Sequence, residues 1–288
     1  MQTVPENSEE GWDLIIRPQH KWYQVDVSAI WKYRDLLMLL VRRDFVSVYK
    51  QTILGPVWFF IPPILTSLAF TFIFGGIAQI STDSNPPILF YMAGITLWTY
   101  FADCLNKTSS TFVANAGVFG KVYFPRLIVP LSVLISNLIK LGIQFSMFLL
   151  LWLYYILTSD TIHPQWQYLW LIPVLVFMMA GLGFGGGILI SSLTTKYRDL
   201  AFLVGFGVQL LMYASSIVLP ISSMSEKIKT IMLFNPLTSI IEAFKFIFLG
   251  SGYFNGIWLL YGFGFMVMLV FMSVIVFNRI EKSFMDTV

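Results

Sequence analysis

Long uncharged apolar runs alternate with short segments that carry the Lys and Arg residues, and this alternation restricts the chain to a membrane-spanning architecture. The uncharged runs extend over 51–82, 84–102, 127–139 and on past Lys140 to 159, 164–195, 200–225 and 246–278. A helix needs roughly 20 apolar residues to cross a bilayer, so the pattern predicts six spans. Basic residues precede the first run (Lys21, Lys32, Arg34, Arg42, Arg43, Lys50), separate the second from the third (Lys107, Lys121, Arg126) and the fourth from the fifth (Lys196, Arg198), and follow the sixth (Arg279, Lys282). The connections around Asp83 and Asp160 carry neither Lys nor Arg. The positive-inside rule then puts both termini in the cytoplasm and the 220–256 loop outside, although that loop holds Lys227, Lys229 and Lys245 beside Glu226 and Glu242.

Composition removes several classes of function. With 57% hydrophobic and 11% charged residues, the bilayer is the main solvent, and one membrane domain suffices. The net charge of +3 comes from the cytoplasmic segments, where it faces anionic headgroups; it points to membrane lipids and not to nucleic acid. A single cysteine, Cys104, forbids an intrachain disulfide or a thiolate metal cluster, and two histidines expected on opposite sides make no metal site. The polar first fifty residues lack the apolar core of a signal peptide.

The chain divides into a polar N-terminal arm (1–27), an amphipathic helix (28–50) and a six-span domain (51–288). In the helix, Ile30, Tyr33, Leu37, Leu40, Val41 and Val48 share a face, with Lys32, Asp35, Arg42 and Arg43 largely opposite. This pattern suits a helix on the inner membrane surface or one packed against a partner. Pro56, Pro62 and Pro63 should kink the inner half of the first span. The fourth span contains Gly181, Gly183, Gly185 and Gly187; without a strand before it this is not a dinucleotide motif, and small residues at four-residue spacing allow close helix packing in lipid. In the loop at about 220–256, Asn235 as N-cap, Pro236 at the first helical position and Gly250 beyond the end predict a helix over 236–249, part of a re-entrant or outer-surface hairpin.

No Ser-His-Asp set, H-E-x-x-H or paired carboxylates occur, so catalysis is not expected. Lys140 is the one cation inside a span and by default a functional candidate. The plainer readings are that it bonds backbone carbonyls or Asn137, or snorkels along a long helix. Trp22, Trp31, Trp58, Trp98, Trp152, Trp166, Trp170 and Trp258 fall mostly near span ends, as an interfacial belt requires, though aromatic faces toward a pore would also form a track for sugars. The absence of G-x-x-x-x-G-K-[ST] means that any ATP chemistry belongs to a partner.

Four stretches together resemble the permease subunits of polysaccharide-exporting ABC transporters, the group that exports O-antigen, capsule and teichoic acid. They are Arg43-Asp44-Phe45 followed by Tyr49-Lys-Gln-Thr-Ile-Leu-Gly-Pro-Val-Trp58; Lys121-Val-Tyr-Phe-Pro-Arg-Leu-Ile-Val-Pro130; Lys196-Tyr-Arg-Asp199; and Asn235-Pro-Leu-Thr-Ser-Ile-Ile-Glu-Ala-Phe244. The resemblance implies an all-α, six-span subunit of the bacterial inner membrane, a homodimer with a channel for lipid-linked polysaccharide, and two copies of a separate ATPase that binds ATP and Mg. It implies coupling to that ATPase through the 28–50 helix and the loop at about 106–125, with Arg42, Arg43, Asp44, Thr111, Asn115 and Lys121 as contacts and a short coupling helix over 111–117. It further implies that the first and fifth spans line the channel, through Trp58, Phe59, Phe60, Phe206 and Tyr213, and that Glu242, Phe244 and Lys245 of the outer hairpin act as a gate. An exporter of small hydrophobic molecules and a membrane-embedded glycolipid enzyme are the alternatives.

Overall fold

The computed structural model describes residues 27–50, 55–119, 124–194 and 199–284; the N-terminal arm and Lys121 lie outside them. These residues form helices joined by short turns, with no strand among the described residues. The helices are α1 (Val27–Lys32), α2 (Arg34–Tyr49), α3 (Ile61–Phe70), α4 (Pro87–Ser109), α5 (Thr111–Phe119), α6 (Ile128–Thr158), α7 (Ile172–Thr194), α8 (Leu200–Tyr213), α9 (Glu226–Leu233), α10 (Pro236–Leu249) and α11 (Gly256–Phe284).

Among the described residues, five segments are long and apolar enough to cross a membrane: Val57–Ile77, Pro87–Ser109, Ile128–Thr158, Trp166–Thr194 and Gly256–Ile280, with the bent pair Glu226–Leu233 and Pro236–Leu249 a sixth if counted as one span. The expected fifth span differs. Helix α8 has 14 residues, about 21 Å at 1.5 Å per residue against the ~30 Å hydrocarbon core. The chain leaves the helix at Ala214 and continues through turns to Pro220. Hydropathy registered the apolar composition of 200–225 and could not register the unwinding.

The first span changes helix type along its length, and its three prolines lie in the opening part. It runs as a 3-10 turn (Gly55–Phe59), then α3, then a π-helical turn (Thr71–Ile77). Missing proline donors and the back-bonds of Thr66 and Ser67 to the Pro62 and Pro63 carbonyls (2.8 and 2.7 Å) loosen the α-helical ladder.

Helix α4 is the hub, packing on α3, α6, α7, α8 and α10. Its contact with α7 depends on the glycines. A Cβ at Gly183 would sit 2.8 Å from the Cys104 Cβ, and one at Gly187 would sit 2.6 Å from the Thr108 Cβ and 2.9 Å from the Leu105 carbonyl. At Gly185 the close neighbours are Leu269 and Val270 of α11 instead, at 3.1–3.3 Å. The glycine run therefore serves two helix contacts in turn, and its packing role is as expected.

A smaller apolar cluster joins Leu40 of α2, Phe112 and Phe119 of α5, Ile128 of α6, Ile188 of α7 and Phe277 of α11. Phe112 stacks on Phe277 with centroids 4.6 Å apart. Helix α2 lies against α6, burying Leu40 and Val41 and leaving Met38 and Leu39 exposed on its other side. The expected continuous 28–50 helix breaks at Tyr33.

In the expected outer hairpin, α9 and α10 meet at 104°, a bend that fits a broken span or a re-entrant loop. Helix α10 has the predicted ends. The Asn235 side chain accepts from the Leu237 amide, and Gly250 adopts φ 74.

Candidate functional site

Helix α10 is buried on nearly all sides, and its charged residues point inward. Lys245 is 0% and Glu242 1% exposed, which would be prohibitive unless both were bonded. They are. The Lys245 ammonium lies 3.5 Å from Glu242 Oε1, donates to the Ser216 carbonyl at 2.6 Å and sits 3.7 Å above the Phe90 ring centroid. Glu242 also accepts from the Ser216 hydroxyl (2.5 Å) and the Tyr253 amide (2.9 Å).

The opposing partner is the unwound segment after α8. Leaving the helix at Ala214 frees carbonyls that lipid cannot solvate, and α10 supplies the donors. Asn235 Nδ2 donates to the Ala214 carbonyl at 2.8 Å while its Oδ1 caps α10, so one side chain serves both elements. Ser216 holds a left-handed backbone, φ 56. The strain this carries for a non-glycine residue persists because its hydroxyl and carbonyl are both engaged by α10. Phe244, the third expected gate residue, is buried among Phe145, Phe148 and Phe248. All three residues thus lie inside the chain, with Glu242 and Lys245 bonded to Ser216 in the unwound segment and Phe244 packed against α6.

A second polar line runs between α4 and α6. Lys140 bonds Asp103 at 2.5 Å, and it is Lys107 that takes Asn137, at 3.0 Å. The expectation that Lys140 bonds Asn137 or backbone carbonyls is therefore corrected. Asn137 in turn approaches the Cys104 sulfur at 3.8 Å. Side-chain exposures of 24% for Lys140 and 28% for Asp103 distinguish this open pair from the sealed one in α10.

Among the expected channel residues, Trp58, Phe206 and Tyr213 are exposed and Phe60 is half-buried. Phe59 is not available: it is 4% exposed and stacks on Phe45 at 5.6 Å, and its carbonyl accepts from the buried Gln144 at 3.4 Å. Trp166 and Trp170 near a span end are exposed as a belt requires. Trp98 and Trp152 are buried instead, the latter donating to the Phe248 carbonyl at 2.7 Å.

Among the expected coupling residues, Arg42 and Arg43 are exposed, and Arg43 pairs with the neighbouring Asp44 at 2.8 Å. Thr111 is buried, so its place is in the packing of α5 and not on a docking surface. Asn115 donates to the Thr111 carbonyl at 2.9 Å. Helix α5 continues past Gly117 to Phe119, whose ring carries the Arg126 guanidinium 5.6 Å from its centroid. Sequence reasoning missed Asp103, Gln144 and Ser216, whose partners lie 37, 85 and 26 residues away and leave no local pattern.

The sequence signature of the family described as ABC-2 type transporter matches residues 35–249, from α2 to the end of α10. The chain is 28% identical over 253 residues to an O-antigen export system permease protein RfbA of Klebsiella pneumoniae, covering 88% of this chain and 94% of that protein. It is 25% identical over 224 residues to the protein of the same name in Myxococcus xanthus, covering 77% and 83%. With most of its length inside the family signature and a membrane-spanning helical core to match, this chain belongs to the ABC-2 type transporter family.

Proposed function

We propose that this chain is the membrane subunit of an ATP-driven exporter that carries a lipid-linked polysaccharide of the O-antigen class across the bacterial inner membrane. The observation that carries the reading is the near-full-length likeness to permeases named for O-antigen export. As a transporter subunit without a P-loop, the chain draws its energy from a separate ATPase, with two copies serving a homodimer of this chain.

A hydrated glycan cannot cross hydrocarbon, so the route must offer polar and aromatic surface, and the exposed rings of α8 supply part of it where a second copy closes the channel. Helices α2 and α5 take up the ATPase's motion. Their shared apolar cluster with α6, α7 and α11 transmits it as movement of packed elements, with no flexible tether needed. On the outer side, α10 holds 214–219 in place and thereby governs the exit end of α8.

The test is deletion with complementation. Loss of surface polysaccharide, its accumulation inside the cell and rescue by the intact gene are expected, together with co-purification of an ATPase. Normal surface polysaccharide in the deletion would refute the assignment. Loss of resistance to a small hydrophobic compound with polysaccharide intact would move the chain to the alternative cargo.

A further inference from the structure

The turn that joins the first span to α4 closes on itself in a strained form. Asp83 and Ser84 are consecutive non-glycine residues with left-handed backbone, φ 54 and 64. Such strain persists only where the surroundings hold it, and it gathers at clamps and switch regions. Here the Thr82 hydroxyl donates to the Asn85 carbonyl at 2.7 Å, and the Asn85 amide returns a bond to the Thr82 carbonyl at 3.0 Å. The turn so shaped reaches both ends of the bent α9–α10 pair. Ser222, in the 3-10 turn ahead of α9, donates to Asp83 Oδ1 at 2.5 Å. Ser251, just beyond the end of α10, accepts from Asn85 Nδ2.

The two attachments differ in what surrounds them. Asn85 is 4% exposed, and its Nδ2 also lies 3.2 Å from the Thr82 and Asp83 carbonyls. The chain leaving α10 is fixed from the other side as well, because the Tyr253 amide donates to Glu242 and a Cβ at Gly252 would lie 3.0 Å from the Glu242 carbonyl. Helix α10 itself carries the sealed Lys245 pair. Ser222, by contrast, is exposed; α9 buries only Leu233 of its eight residues and leaves Ile228 and Ile231 open. Along α9, Lys229 adds a half-buried contact 4.4 Å above the Tyr253 ring centroid. Breaking a buried bond strands its groups, whereas water replaces an exposed partner at little net cost. When the spans shift on this side, the α9 end therefore parts first, turning about the 104° bend while α10 stays seated.

We infer that the 82–85 turn is a two-part clasp, in which Asn85 anchors the α10 end and Asp83 releases Ser222 so that α9 swings away in each transport cycle. The inference rests on the ATP-driven export reading and adds which end of the bend moves and which residue lets it go.

The experiment uses the complex with its ATPase in vesicles, a Cys104→Ser background and the pair Asp83→Cys with Ser222→Cys, joined by a short bis-methanethiosulfonate linker that reductant removes. Linking should stop ATP-driven transfer of lipid-linked polysaccharide, and reductant should restore it, a reversal that a folding defect would not show. The link should also form less readily while ATP is hydrolysed than without nucleotide. Joining Asn85→Cys to Ser251→Cys in the same way should leave that variant's own rate unchanged. Ser81→Cys, at a hydroxyl 3.3 Å from the Asp83 amide, takes the place of Asp83→Cys should the first pair fail to assemble. Transfer that continues in fully linked 83–222 complex overturns the inference, as does arrest by the 85–251 link. If the unlinked complex moves no polysaccharide, the cargo reading fails by itself, and a linkage yield that ignores ATP hydrolysis still overturns the clasp.

Discussion

Lys245→Met removes the ammonium while keeping most of the side-chain volume, and its consequences can be worked from the contacts around it. Three things are lost: the attraction to Glu242 at 3.5 Å, the bond to the Ser216 carbonyl at 2.6 Å and the cation–π contact with Phe90 at 3.7 Å. Removing one partner of a buried ion pair costs about 3–5 kcal/mol, chiefly because the other charge stays behind uncompensated. Glu242 retains the Ser216 hydroxyl and the Tyr253 amide, which places the expected cost at the lower end, about 3 kcal/mol. At the ~2–4 °C per kcal/mol typical of chains of 150–250 residues, the unfolding midpoint of the purified protein should fall by about 6–12 °C. Replacing Glu242 by Gln in the same protein removes the stranded charge, so the double variant should recover part of the loss. Scanning fluorimetry of wild type, both single variants and the double variant gives the coupling energy directly. Single variants within about 0.5 kcal/mol of wild type, the range of ordinary surface changes, would show that the pair is not buried in this way and would remove the bracing role assigned to α10.

The glycine packing of α4 on α7 predicts that Gly187→Ala costs about 1–3 kcal/mol by overpacking, since its Cβ would meet Thr108 at 2.6 Å. Gly205→Ala, with nothing within 4 Å, should leave the midpoint unchanged or slightly raised. At Asn235 two roles can be separated. Asn235→Asp keeps the cap on α10 but cannot donate to the Ala214 carbonyl, so it should export as poorly as Asn235→Ala if bracing of 214–219 matters. Export close to wild type in the Asp variant would assign the residue to capping alone, worth about 1 kcal/mol.

The spans and the ends of α10 were legible because each follows from a local rule. Apolar runs of membrane length bounded by charge give the first, and Asn235, Pro236 and Gly250 give the second. The 3-10 start of the first span was legible for the same reason, three prolines within eight residues of one another. The early end of α8 was hidden because nothing in Ala214-Ser215-Ser216 forbids a helix; the unwinding is sustained by side chains arriving from α10. That Glu242 and Lys245 turn inward was not legible, because the carbonyl and hydroxyl of Ser216 that they bond become available only through the unwinding after α8. Lys140 stood out as a cation within an apolar run, yet its partner Asp103 could be found only once α4 and α6 were side by side. Which aromatic rings face the transport path depended likewise on helix rotation, and Phe59 is the case where rotation hides the ring.

Transfer across a sealed bilayer tests the central claim most directly. With the chain and its ATPase reconstituted in vesicles, lipid-linked polysaccharide added on the ATPase side should become accessible to a glycan-cleaving enzyme on the far side only when ATP is hydrolysed, and should not when this chain is omitted. Transfer without hydrolysis, or equal transfer in vesicles lacking the chain, would contradict the account.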